Sequence, residues 1–220
     1  MDVDGFWAIV EAARAEADED WYEVPEIVTD ALSRLPLADI ADFAQIQDEL
    51  EWAAYREDLW TASWLINAGF SSDDGFLYFR DWMLVQGRAA FEAALADPDS
   101  LADVPGVLEM DPFETDEFAD CEQFLYVANE AWRRATGSEP ADATVDGLVH
   151  FDEDQADGLE EELERRGFEP HRDDPVPLHG EPVDIDNRDA VVSVLPRLGS
   201  RFHSRAVKQR ASLPPNLPRS

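Results

Sequence analysis

The sequence is poor in what most chemistry and most sorting signals require. It has one cysteine, one lysine and four histidines among 220 residues. Cys121 has no partner for an intrachain disulfide, which excludes a stapled secreted scaffold built within this chain. Its neighbours in FADCEQF are acidic, so they raise the thiol pKa and disfavour a reactive role; a buried structural cysteine is expected. No stretch approaches the roughly 18 uninterrupted apolar residues of a membrane span. The opening MDVDGFWAIVEAARAEADED is acidic and amphipathic, where a secretory signal is basic and then apolar. A soluble cytoplasmic protein, with no membrane partner, is expected.

Catalytic signatures are missing too. Neither Gly-x-Ser-x-Gly nor a glycine-rich phosphate loop occurs, so no residue is assigned as catalytic and no cofactor is assigned. His150, His171, His179 and His203 all follow residue 149, at no metal-ligand spacing. The acids of His150-Phe151-Asp152-Glu153-Asp154 lack the glycine and the distal glutamate of a calcium loop. No metal site is therefore expected, and the chain leans away from an enzyme.

What is abundant is negative charge: 50 acids face 17 bases, a formal net charge of −33. The signs are unevenly distributed. From Ala190 onward there is no acid, and the bases are Arg197, Arg201, Arg205, Lys208, Arg210 and Arg219. An acidic body repels nucleic acid and anionic membranes and is steered toward basic partners, so direct nucleic-acid binding is not expected. Sixteen of the bases are arginine. A GC-rich genome or a salt-adapted proteome explains that bias as well as function does.

Aromatic residues are also abundant, at 10%, and the 45% apolar content is enough for a substantial core. Residues 1–136 read as a run of helices. Asp2 or Asp4 caps a first helix with Phe6, Ile9, Val10 and Ala13 inward, and a second runs from about Pro25 to Leu35. Ile40, Phe43, Ala44, Gln47, Leu50 and Ala54 carry a third to Tyr55, Asp58 either continues or restarts it, and Asn67-Ala68-Gly69 is a C-terminal stop. Ser71-Ser72-Asp73-Asp74 supplies several possible N-caps, with Asp73-Asp74-Gly75 as cap and turn before FLYFRDWMLV, whose apolar faces suit a central buried helix. A last long helix is expected from about Thr115 to Thr136, with Phe118, Phe124, Leu125, Ala128 and Trp132 inward. Residues 137–182 form an acidic, Pro- and Gly-punctuated connector with a short extended piece and a charged helix from about Asp152 to Arg166. Residues 183–210 form a basic helical segment in which Pro196 must start, kink or stop a helix, and 211–220 read as a disordered tail. The expected fold is all-α, a compact multi-helix domain with an irregular connector and a short C-terminal helix.

The segments DELEWAAYREDLW, INAGFSSDDGFLYFRDWMLVQGR and FEAALADPDSL resemble a bacterial, chiefly actinobacterial, domain-of-unknown-function family, that numbered 4240. The resemblance runs from about Asp4 to Trp132. A weaker echo at residues 180–202 pairs GEPVDIDN with LPRLGSRF, with Ile185 in place of an aromatic. It implies a mostly helical intracellular domain and carries over no catalytic residue.

A candidate site rests on helical geometry. At about 100° per residue, Arg56, Trp60, Ser63, Trp64 and Asn67 share one face of a helix. Phe76, Arg80, Leu84, Gly87, Arg88 and Phe91 share one face of the next, provided Gly87 does not break it. An antiparallel pair sets guanidinium groups beside indole rings, and Arg56, Trp60, Trp64, Asn67, Arg80 and Arg88 become a candidate ligand cleft for an anion or a planar molecule. The competing reading pairs each arginine with a local acid such as Glu57, Asp58, Asp81 or Glu92 to pin helix packing.

Three functions stay open: a non-enzymatic acidic module that binds or inhibits a basic protein partner, an enzyme or small-ligand sensor using the Arg/Trp cleft, and a scaffold whose basic tail docks on its own acidic body or on a second copy. Nothing in the sequence sets an oligomeric state.

Overall fold

Among the residues that the computed structural model describes, 1–18, 20–111, 114, 117–137, 144–145, 148–149 and 177–212, ten helices follow one another. They are α1 (Val3–Glu16), α2 (Val24–Leu32), α3 (Leu37–Ala53), α4 (Glu57–Ile66), α5 (Asp73–Val85), α6 (Arg88–Ala96), α7 (Glu122–Leu125), α8 (Val127–Thr136), α9 (Arg188–Val194) and α10 (Pro196–Ser212). Two 3-10 helices, Pro98–Asp103 and Val107–Glu109, separate α6 from α7. One antiparallel ladder joins β1 (Thr144–Val145) to β2 (Leu148–Val149), with Thr144 opposite Val149. The fold is mostly helical. The charged helix expected at Asp152–Arg166, His150, His171 and the tail from residue 213 lie outside the described residues. The helices gather into two units that do not follow chain order: residues 1–53, 84–88 and 121–175 in the first, and 54–83, 89–120 and 176–220 in the second.

In the first unit, Asp2 caps α1 by accepting from the Gly5 amide at 2.8 Å. That helix buries Phe6, Trp7, Val10 and Ala13. Phe6 stacks on Phe43 of α3 with ring centroids 4.4 Å apart, and Phe43 reaches Phe124 of α7 at 6.3 Å. A chain of three aromatic rings therefore ties the start, middle and end of the unit. Buried Gln47 adds a polar tie: its Nε2 donates to Glu51 Oε1 at 2.9 Å and to the Phe124 carbonyl at 3.3 Å. On the surface Arg134 of α8 forks onto Glu26 of α2, with bonds of 2.9 and 2.8 Å, and also meets Glu130.

The expected helix from Thr115 begins later than its apolar spacing suggests. Glu117 to Cys121 are not helical, and the helical run starts at Glu122 and is interrupted at Tyr126. The cause lies in Ala119, whose N–H and C=O are both taken by the Asn67 side chain, so neither is available to a helical ladder. Cys121 is buried and, as the single cysteine of the sequence, forms no disulfide within this chain.

In the second unit, α4 ends where Gly69 turns the chain at φ +92°. The helix that follows is capped by Ser72, whose Oγ accepts from Gly75 N at 3.0 Å. Of the possible caps in Ser71-Ser72-Asp73-Asp74 the structure uses Ser72, so Asp73, Asp74 and Gly75 are the first turn of α5, and the two carboxylates sit where the helix dipole favours them. The helix buries Phe76, Phe79, Trp82 and Met83. It stops at Val85, because Gly87 adopts φ +90° and α6 starts afresh at Arg88.

Pro196 begins a helix. Its ring is harmless at a first helical position, where no intrahelical partner awaits the N–H. Leu195, just before it, has no side chain able to cap. The cap comes instead from Asp99, nearly a hundred residues earlier, whose buried carboxylate accepts from Arg197 N at 3.0 and 2.9 Å and from Leu198 N at 3.0 Å. Helix α10 packs against α9, α4 and the first 3-10 helix. It buries Leu198, Gly199, Phe202, His203 and Ala206.

Candidate functional site

The six residues of the expected cleft take up distinct partners. Arg56 precedes α4 and forks onto Asp58, with Nε to Oδ1 at 3.1 Å, while Nη1 donates to the Leu95 carbonyl. Trp64 is buried, with its ring 6.2 Å from that of His203 in α10. Asn67 is buried and spends its amide on the backbone of Ala119, at 2.8 and 3.3 Å. Arg88 belongs to the first unit, where its guanidinium meets Asp4 at 2.8 Å and its N–H donates to Glu11 Oε1 at 2.7 Å. The helical face drawn through Phe76, Arg80, Leu84, Gly87, Arg88 and Phe91 is cut at Gly87, which is the condition the sequence left open.

Trp60 and Arg80 do come together, through aromatic rings. Half-buried Trp60 packs on Phe76 at 4.8 Å, and the Arg80 guanidinium lies 5.2 Å from the ring centroids of both Phe76 and Tyr55. A cation between two ring faces is attracted by both quadrupoles. His179 joins this group from far along the chain. Its N–H donates to Tyr55 O and its carbonyl accepts from Glu57 N, both at 3.0 Å, and its ring meets that of Tyr55 edge-on at 6.5 Å. Beside it, burial pushes the Glu57 carboxyl above the ordinary value of 4.5, and the Asp58 charge adds to the shift. Sequence spacing gave no reason to place His179 here, since the bridge to Arg56 is a backbone pairing and has no side-chain signature.

The densest polar constellation of the second unit lies along α10 and was not among the expected site residues. Arg197 forks onto Asp103 at 2.8 and 2.5 Å. Arg201 Nε donates to the Leu108 carbonyl at 2.9 Å. Arg205 donates to Met110 O at 2.7 Å and Ile66 O at 3.2 Å, and sits 3.4 Å from Asp111. Its guanidinium also lies 4.7 Å from the Phe202 ring centroid. Burial lowers the Arg205 pKa, with Asp111 pulling the other way. Asp103, by contrast, is held below its ordinary range by the hydrogen bond from Arg197.

A signal for this helix exists in the sequence. Residues 197–206 read Arg-Leu-Gly-Ser-Arg-Phe-His-Ser-Arg-Ala, an arginine followed by an apolar residue at every fourth position. On a helix of 3.6 residues per turn such a repeat drifts by only about 40° per step, so the apolar members stay on one side and the arginines flank them.

Among the described residues, no three His, Cys, Asp or Glu side chains come together in a way that would hold a metal ion, and no helix is long and apolar enough to cross a membrane. No curated protein and no solved structure matches the chain. A family model does, over residues 1–134, and its description is "Protein of unknown function (DUF4240)". With more than half of its length matched, the chain belongs to this family of proteins of unknown function.

Proposed function

We propose that the protein is a non-catalytic acidic module of the bacterial cytoplasm that binds a basic protein partner. The observation that carries this reading is the grip of the second unit on α10. A helix with five bases and no acid is held by the carboxylates of Asp99, Asp103 and Asp111 and by three backbone carbonyls. These intramolecular contacts support the reading, because they have the chemistry that a basic helix supplied by a partner would need. A net charge of −33 supports the reading kinetically, because it raises the encounter rate with cations. A single cysteine, with no disulfide within the chain, suits a reducing compartment.

The test is affinity capture with the full chain at moderate salt, followed by binding of the captured protein across a salt series. A partner with a basic surface, released as ionic strength rises, is the expected result. Capture that enriches no basic protein would overturn the reading.

A second reading, a sensor for a planar anion, is favoured by one observation: half-buried Trp60, Tyr55, Arg80 and His179 share one cluster. Stacking between rings and a guanidinium suits a flat anionic ligand. Quenching of tryptophan emission by an aromatic carboxylate, lost in Arg80→Ala with the fold intact, would support it; unchanged quenching would remove it.

A further inference from the structure

The wall that holds α10 has a direction. Read along the helix, Arg197, Arg201 and Arg205 meet Asp103, Leu108 O and Met110 O in that order, with Asp111 beside the last. Successive arginines are about 6 Å apart along a helix axis, at 1.5 Å per residue. Acceptors and donors therefore run in register, and two of the acceptors are backbone carbonyls, which accept from any arginine placed at that point of a helix. Between the arginines, Leu198, Phe202 and Ala206 are buried, and the Ala206 carbonyl lies against Gly69, where a side chain would block it. What the wall recognises is a pattern: a helix end for Asp99, an arginine at every fourth position, and an apolar residue after each.

Every wall residue named lies within the family-matched residues 1–134, whereas α9 and α10 lie beyond them. The occupant and the wall are thus separate stretches of the chain. Its fit also falls short of complete: Arg205 Nε is buried and has no hydrogen-bond partner among the described residues.

We propose that α10 is an in-cis stand-in for the partner: the wall formed by Ile66, Gly69 and residues 99–111 takes an amphipathic helix with arginine at every fourth position, and α10 blocks that wall until such a helix displaces it. This rests on the acidic-module reading above and adds the partner's chemistry and its regulation. Because the binding-competent state is only fractionally populated while α10 is seated, the apparent dissociation constant is the intrinsic one divided by that fraction. Loosening α10 therefore strengthens binding of a helix supplied in trans.

The probe is a labelled synthetic peptide reproducing residues 188–212, added to the full chain. In the chain, Arg197→Ala with Arg201→Ala removes two solvent-facing grips of α10 and leaves the wall intact. The expected result is at least about tenfold tighter peptide binding than in the unaltered chain, lost again when Asp103→Asn and Asp111→Asn are added. A peptide with Leu198 and Phe202 replaced by serine should not bind. Equal affinity in loosened and unaltered chains, or binding indifferent to the two asparagines, would overturn the proposal.

Hydrogen exchange on the unaltered chain decides independently, should the double variant fail to fold. Saturating peptide is expected to strip protection from the amides of residues 198–206 in the chain's own helix while α4 keeps its protection. If a basic partner binds while α10 stays protected, the stand-in role fails and the acidic-module reading survives. If neither the peptide nor any basic protein binds, both fail.

Discussion

A Cβ built on Gly69 would lie 2.6 Å from the carbonyl oxygen of Ala206. The obstacle is backbone, so it cannot rotate aside, and φ at Gly69 is +92°, where an L side chain is strained in any case. Gly69→Ala is expected to cost about 2 kcal/mol or more, from left-handed strain and the loss of close helix contact together. Urea denaturation measures it. Gly87→Ala is the control: it shares the positive φ, but the first atoms its Cβ meets are the ends of the flexible Arg14 and Glu11 side chains. A cost near 1 kcal/mol is expected there, and equal costs would show that strain alone decides.

Neither alanine nor aspartate should replace Asn67 without loss. Its amide serves both the N–H and the C=O of Ala119, and Ala119 is fully buried. Asn67→Ala leaves two buried backbone groups unpaired, a loss of about 2 to 4 kcal/mol by chemical denaturation. Asn67→Asp keeps the acceptor, loses the donor and buries a charge, so its deficit should shrink as pH falls and the carboxyl protonates. A deficit that ignores pH would place the carboxylate in solvent.

Trp64 and Arg80 separate packing from display, although the sequence set them in one candidate cleft. Trp64 is 3% exposed, so Trp64→Ala should cost about 3 to 5 kcal/mol. Arg80→Ala removes a guanidinium from between two rings at 5.2 Å and should cost about 0.5 to 2 kcal/mol. Thermal melts that rank the two in the opposite order would contradict the burial.

The Arg134 fork sets an acid dependence. Its hydrogen bonds hold the Glu26 and Glu130 carboxyls below their ordinary value of 4.5, Arg133 contributing most to Glu130. A folded carboxyl with a depressed pKa binds protons less readily than the unfolded one. The stability it adds is thus present above 4.5 and is lost as pH falls through the lower folded values. Glu26 is exposed and Glu130 is partly so, and solvent screening keeps the effect small, about 0.5 kcal/mol. Arg134→Met should lower stability at pH 7, and the gap should close in acid and in high salt. A gap constant in pH would trace to the aliphatic stem of Arg134 instead.

Helices were legible where apolar spacing had no competitor. Of the stripe expected in α1, Phe6, Val10 and Ala13 are buried and Ile9 is half-buried, while the Asp2 cap and the stop at Gly69 read directly. Where a tertiary partner takes over a backbone group, local reading runs past the true boundary. Ala119 shows this, since the residue that withdraws it from a helix lies 52 positions away. The N-cap of α10 shows it again: Pro196 announces a helix start, but the cap belongs to Asp99.

The sequence by itself determined the helical class, the family, the acidity of the body and the segregation of bases beyond Ala190, because composition, period and pattern are local properties of a chain. Only the tertiary structure decided which carboxylates and carbonyls those bases meet. Hydrogen bonds between residues some 95 positions apart leave no trace in spacing, and the Arg-apolar repeat of α10 acquires its meaning from the acceptors aligned beside it.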